Sequence, residues 1–241
     1  MHRILPLFLF CLAAIVPTGQ AAEDGFRDLF NGKDLAGWEG VPELWKVSDG
    51  MIIGETTPTL KAKTNTFLIY KGSQPADFEL RFEARLPSSN TNNSGVMYRS
   101  SEVKTTEFAG YFVLKGYQCD LQTGWEHFGK LYEEKGRGRI GMGGQKVEVP
   151  VHCKASGQKV LGESAPAEQV RKAEKKGDWN SFAIIAKGNH VQHILNGVVV
   201  LDLTDLDDAV RPVKGLIGLQ IHAGAPMHIE FRNLRLRELA P

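Results

Sequence analysis

The chain has almost no net charge: 29 Lys and Arg stand against 28 Asp and Glu, a formal balance of +1 over 241 residues. That removes the electrostatic reason to expect nucleic acid or an anionic membrane as partner; Arg137-Gly138-Arg139 is too short a basic cluster to restore it. Cysteine is scarce, with three residues, and Cys11 lies in the N-terminal apolar stretch. The remaining Cys119 and Cys153 are too few for a structural zinc site. They leave two readings open, a disulfide in an oxidising compartment or small buried hydrophobes. After the N-terminus no apolar run approaches the roughly 20 residues that span a bilayer. No solenoid or propeller repeat is present. Compact His-x-x-x-His and EF-hand spacings are missing too, so no defined metal site is expected. There is no convincing nucleophilic serine motif, and Gly141-Met142-Gly143-Gly144 reads as a flexible turn.

What is present begins with an export signal. His2-Arg3, the apolar run Ile4 to Val16 and the small residues up to Ala22 predict a leader over 1–22, hence a periplasmic or secreted mature chain of 23–241. At 42% hydrophobic residues, that length suits one large domain with a well-developed core. Strand signals dominate it. Phe78 to Arg85 alternates apolar and charged residues through eight positions. Asp49-Gly50 and Asn196-Gly197 each separate two strand-like runs and predict hairpins. In the last strand the apolar parity slips between Phe231 and Leu234, which predicts a bulge near Asn233. Helix is invited only over Pro166 to Lys176, inside a polar, strand-poor insert from Lys154 to Gly177. The expectation is an all-β sandwich, a two-sheet jelly roll with one short helix.

Three separated strand-like stretches carry polar residues of one parity: Arg99; Gln118, Asp120 and Gln122; Gln220 and His222. Alternate side chains of a strand share a face, so each set forms a row. Gln, Asp, Arg and His, bracketed by Tyr98, Tyr117, Trp125 and Tyr132, suit a sugar-binding surface better than an ordinary solvated face of Lys, Glu and Thr.

Phe30-Asn31-Gly32-Lys33-Asp34-Leu35-Ala36-Gly37-Trp38 resembles the opening signature of the 3-keto-disaccharide hydrolase domain family. Further pieces follow in order: Trp45-Lys46-Val47 with Asp49-Gly50, Asp77-Phe78-Glu79-Leu80, Asn93-Ser94-Gly95-Val96, Gly177-Asp178-Trp179-Asn180, Asn196-Gly197 and Phe231-Arg232-Asn233. Gly116 to Glu134 and Leu219 to Met227 are similar to one subgroup, from which Glu126-His127 departs. The resemblance implies a concanavalin A-like lectin/glucanase sandwich acting on glycosides oxidised to a ketone at C3.

Such a ketone acidifies the C2 hydrogen, so a base can remove it, the C1 substituent can depart and water can add back. The site then needs a base, a group for the ketone oxygen and an acid. His222 is the base candidate, Asp120 its orienting partner, an alternative base or a metal ligand, and Arg99 the stabiliser of the enolate. Tyr132, Glu133 or Glu126 are candidate acids or simply bind substrate hydroxyls, Gln118, Gln122 and Gln220 suit sugar hydroxyls, and Tyr117 or Trp125 suit stacking. A divalent metal would draw on Asp120, His222 and either Glu133 or His127. The plainer readings are a structural Arg99–Asp120 pair, a satisfied sheet histidine at 222, and a packing role for Trp125. His193 alternates with Val191 and Leu195 and is expected to face the core. Glu79 and Glu83, interrupted by Arg81, read as a solvated strand face rather than a two-carboxylate glycosidase site. A carbohydrate-binding module using the same face is the non-catalytic alternative.

Overall fold

A computed structural model describes residues 25–87, 93–124, 126–154 and 157–240. The leader expected over 1–22 and Trp125 lie outside the described residues. The early strands are β1 (Arg27–Asp28), β2 (Trp38–Glu39), β3 (Trp45–Ser48), β4 (Met51–Glu55), β5 (Thr66–Tyr70) and β6 (Phe78–Arg85). Next come β7 (Asn93–Glu102), β8 (Leu114–Gln122), β9 (Phe128–Glu134), β10 (Gly138–Gly141), β11 (Gln145–Val149) and β12 (Lys159–Glu163). Helix α1 (Ala167–Ala173) precedes β13 (Asn180–Lys187), β14 (His190–Leu195), β15 (Val198–Asp205), β16 (Leu216–Ile221) and β17 (His228–Glu238).

They form two sheets. One runs β12-β11-β15-β14-β13-β6-β17-β4-β3, with β1 added on β17; the other runs β10-β9-β8-β7-β16-β5-β2. The jelly-roll sandwich expected from the strand pattern is therefore the fold. Along β6, Phe78, Leu80, Phe82 and Ala84 are buried, while Glu79, Arg81, Glu83 and Arg85 point outward into ion pairs. Asp49 (φ 51°) with Gly50 (φ 73°), and Asn196 (φ 47°) with Gly197 (φ 84°), supply the paired positive φ values that tight hairpins β3–β4 and β14–β15 require. The β17 ladder slips between Arg232 and Arg235, with Asn233 at φ 53°, so the bulge falls where the parity broke.

Between the sheets lies a core of large side chains, with Phe82 stacked on Phe182 at 4.9 Å. His193 is fully buried there, as its parity implied, with Nε2 2.8 Å from the Tyr98 hydroxyl and Nδ1 2.7 Å from the Gly129 carbonyl. The carbonyl can only accept, so Nδ1 carries the proton and Nε2 accepts from Tyr98. Burial pushes the His193 imidazole down to about 4. Cys119 and Cys153 are both free and buried, so the small-hydrophobe reading holds and the disulfide does not form. The insert is less strand-poor than expected: β12 runs along the sheet edge with all five residues exposed. An edge strand paired only to β11 and covered on neither face shows no burial alternation, which is why the sequence pattern missed it.

Candidate active site on the outer face of the smaller sheet

The smaller sheet turns one face to the core and the other outward. Register fixes who shares that outer face, because directly paired residues point to the same side. Asn93 pairs with Gln122, Gly95 with Asp120 and Met97 with Gln118; Gln118 also pairs with Tyr132 on β9. On the far side Gly218 pairs with Met97 and Ile69, and Gln220 with Phe67. The face divides in two. One end is apolar, with Phe67, Ile69, Met97, Leu114 and Leu216 packed under Phe112. The other collects Gln118, Asp120, Gln122, Lys130, Tyr132, Gln220 and His222. Gly95 matters to this packing, since a Cβ there would stand 2.5 Å from Cδ of Gln118.

Asp120 forms the floor. It is 3% exposed, with Lys130 Nζ at 3.0 Å from Oδ2, while Oδ1 is buried without a hydrogen-bond partner among the described residues. The same ammonium donates to Gln122 Oε1 at 3.0 Å. Burial raises the Asp120 carboxyl to about 6, against the opposing pull of Lys130 and, more weakly, of His222. Among the described residues Gln220 Oε1 is likewise buried and unpartnered, and Gln118 Nε2 reaches only the Met97 sulfur at 3.5 Å. An amide acceptor and a carboxylate oxygen left without donors in one floor carry a desolvation cost that a ligand's hydroxyl groups relieve.

His222 stands at the rim, half-buried, one residue past β16. Its Nδ1 lies 2.6 Å from the Ala223 carbonyl, which can only accept, so Nδ1 bears the hydrogen. Among the described residues Nε2 has no hydrogen-bond partner, and in the neutral ring it carries the lone pair. The backbone N–H of His222 donates to the Met227 sulfur at 3.1 Å, and that of Ala223 to Asn65 Oδ1 at 3.0 Å. Glu134 completes the group. It is 7% exposed, and burial raises its carboxyl although Lys135, the Asn65 amide and the charge on His222 pull the other way. Tyr132, half-buried, is raised by burial and by the charges of Glu134 and Asp120. An imidazole lone pair thus opens beside two carboxyls that hold protons more tightly than in water, an arrangement able to move protons near neutral pH.

A model of the 3-keto-alpha-glucoside-1,2-lyase-like domain family matches residues 25–237. The chain belongs to that family. Among solved structures it resembles a proposed glycosyl hydrolase of Parabacteroides distasonis at 24% identity and TM-score 0.54, covering 89% of this chain and 99% of that one. A second such protein from the same organism matches at 18% and 0.53, covering 90% and 94%. A carbohydrate-binding module from Bacillus subtilis matches at 14% and 0.51, covering 84% and 96%. At these identities the likeness establishes the shared fold. Comparison with curated proteins gave no match. Membership of the 3-keto-alpha-glucoside-1,2-lyase-like family makes this a carbohydrate-active protein.

For this lyase-like domain the expected site is only partly brought together. Asp120, His222, Gln118, Gln122, Gln220 and Tyr132 share the outer face. Arg99 does not. The β7–β8 ladder slips between Tyr98 and Ser101, and Arg99 takes φ 47°, which turns its side chain to the inner side. There it donates to the Ala76 and Gly188 carbonyls, each at 2.8 Å, and to Asp77 Oδ1 at 3.0 Å, tying the two sheets together. Tyr117 and Glu133 are also corrected. Each neighbours an outward residue, so alternation sends both inward, where the Tyr117 hydroxyl donates to Asp205 and Glu133 pairs with Arg137. Glu133 is thereby removed from any metal set with Asp120 and His222, and among the described residues no three His, Cys, Asp or Glu side chains gather as a metal would require.

Three residues went unnoticed. Lys130 and Glu134 follow from Tyr132 by strict alternation along β9, a signal present in the sequence. Asn65 precedes β5 and reaches the site from another part of the chain, with no local signal. A cavity of about 540 Å³ lies apart from this group, lined by Phe108, Tyr111 and Phe112 with Glu39 and Glu102. Lys104 and Lys71 hold the Glu102 carboxyl low, so it stays an ordinary ionised pair.

Proposed function

We propose that the protein cleaves 3-keto-glycosides by elimination and hydration. The observation that carries the reading is the half-buried imidazole of His222, its Nδ1 hydrogen committed to a carbonyl and its Nε2 open, set beside the buried Asp120 and Glu134. Nε2 takes the hydrogen from C2, and the electron pair is held as an enolate on the C3 oxygen. It then forms the C1–C2 double bond as the C1–O bond breaks and the departing oxygen takes a proton from Glu134 or the Tyr132 hydroxyl. Water next adds across that bond, oxygen to C1 and hydrogen to C2, so the sum is hydrolysis. Asp120 supports the imidazolium formed in the first step through its negative charge. Lys130 supplies a cation on this face, in the role expected of Arg99, with one ammonium hydrogen beyond its bonds to Asp120 and Gln122.

The test is release of the aglycone from 3-keto-glucosides by the purified mature protein, with and without chelator, against the same assay on His222→Ala. Turnover in the parent and its loss in the variant support the reading; a parent that binds the sugar without releasing aglycone overturns it. That second outcome is the carbohydrate-binding reading, favoured by the unpartnered Gln220 and Asp120 oxygens. We further propose, from residues 1–22, that the protein is exported; N-terminal sequencing of protein from the native host, starting near Glu23, tests it.

A further inference from the structure

We infer that Asn65 is a positioning residue that fixes which nitrogen of His222 carries the proton, with its amide nitrogen turned toward Glu134. The inference rests on the reading of His222 as the base. Two hydrogen bonds run in series through one residue, Ala223. Asn65 Oδ1 accepts the Ala223 N–H at 3.0 Å, and the Ala223 carbonyl accepts the Nδ1 hydrogen of His222 at 2.6 Å. The residue lies in the Gly-Ala-Pro turn region after β16, where no ladder holds the backbone, so the Asn65 oxygen supplies what the sheet does not. A free N–H can only meet an acceptor, which settles the amide orientation: Oδ1 faces Ala223, and Nδ2 is left to favour the charge of the Glu134 carboxyl.

One short side chain therefore links base and acid candidates that come from different strands. With the Nδ1 hydrogen committed, Nε2 is the atom left to accept a proton from substrate. The charged and titratable groups facing Glu134 are Lys135, His222 and Tyr132, and those facing His222 are Asp120 and Glu134. None of them offers a second acceptor to Nδ1.

Two variants separate the halves of this role. Asn65→Asp keeps an oxygen for the Ala223 N–H but replaces the donor to Glu134 by a second carboxylate, which raises the Glu134 carboxyl further. Asn65→Ala removes the bond to Ala223 and the amide's influence on Glu134. Long-range proton–nitrogen correlation spectra of histidine-labelled protein read the His222 tautomer without any substrate. The expected result is a hydrogen on Nδ1 in the parent and in Asn65→Asp, and a shift toward Nε2–H in Asn65→Ala. In turnover, Asn65→Asp should move the alkaline limb of the pH–rate profile upward, and Asn65→Ala should lose ~10- to 100-fold in kcat with little change in KM. A parent with Nε2–H, or an Asn65→Ala spectrum unchanged from the parent, overturns the inference. Should Asn65→Ala not fold, the unmoved alkaline limb of Asn65→Asp does so instead. Failure of turnover in the parent alone overturns the functional reading and leaves the tautomer result standing.

Discussion

Replacing Lys130 by Met should make the stability of this protein depend on pH where the parent's Asp120 does not. Asp120 titrates near 6 in the fold against an ordinary 3.8, so folding favours its protonated form. The contribution is therefore most favourable below the unfolded value, is lost as pH rises through about 6, and stays flat above that. Lys130 is the strongest influence pulling that carboxyl down. Without the ammonium the titration moves above 6, and the loss continues at ~1.4 kcal/mol per pH unit until the new value is passed. Since the carboxyl can always protonate, the cost at any pH is capped by that slope. Relative to the parent, which is itself half-ionised at pH 6, Lys130→Met should lose up to ~1 kcal/mol between pH 6 and 7, and up to ~1.3 kcal/mol more by pH 8. Below pH 5 Asp120 is protonated in both, so the two proteins should differ least through this group. His193, pushed down to about 4, titrates with the opposite sign across much of the same range, but it is common to both proteins and cancels in the difference. Urea unfolding followed by tryptophan fluorescence at pH 5, 6, 7 and 8 measures it. A difference that stays constant across those pH values would refute the reasoning.

Other outcomes follow from the same contacts. His222→Ala should reduce turnover by ~10²- to 10⁴-fold, as loss of a general base does, with a change in unfolding free energy near ~1 kcal/mol, read by kinetics and thermal unfolding together. Arg99→Met removes three donors and uncovers Asp77, so it should cost ~3 kcal/mol in stability and leave kcat within a few-fold; a large kcat loss at unchanged stability would return Arg99 to the chemistry. Tyr98→Phe leaves His193 Nε2 buried without its donor and should cost ~1–3 kcal/mol in chemical unfolding. The kcat/KM of the parent should rise with pH through about 6 as Asp120 ionises, before the alkaline limb on which the acid loses its proton; a profile that falls across the window near 6 would contradict a supporting negative charge.

The local parts of this protein were legible in its sequence. The two-residue turns at Asp49-Gly50 and Asn196-Gly197 need positive φ, and those residue pairs tolerate it. The eight-residue alternation of β6 fixes an inner and an outer face by geometry alone. The parity slip near Asn233 marked its bulge, because Asn accepts the left-handed conformation. Polar rows on β8 and at the end of β16 named Asp120, Gln118, Gln122, Gln220 and His222 for the same reason. Tyr117 beside Gln118 and Glu133 beside Tyr132 were errors that the period of two already forbade.

Tertiary structure decided the rest. Arg99 carries positive φ with no Gly, Asn or Asp to announce it, since the bond set with Ala76, Asp77 and Gly188 on the opposite sheet holds it there. Lys130 became the partner of Asp120 only when β9 was laid beside β8, and Asn65 reached Ala223 across 158 positions of chain. Period and turn chemistry act over a few residues, so the sequence determines which side chains share a strand face. Which strands lie side by side, and in what register, depends on packing between distant segments, and that alone assembles an imidazole, two carboxyls and an ammonium into one site.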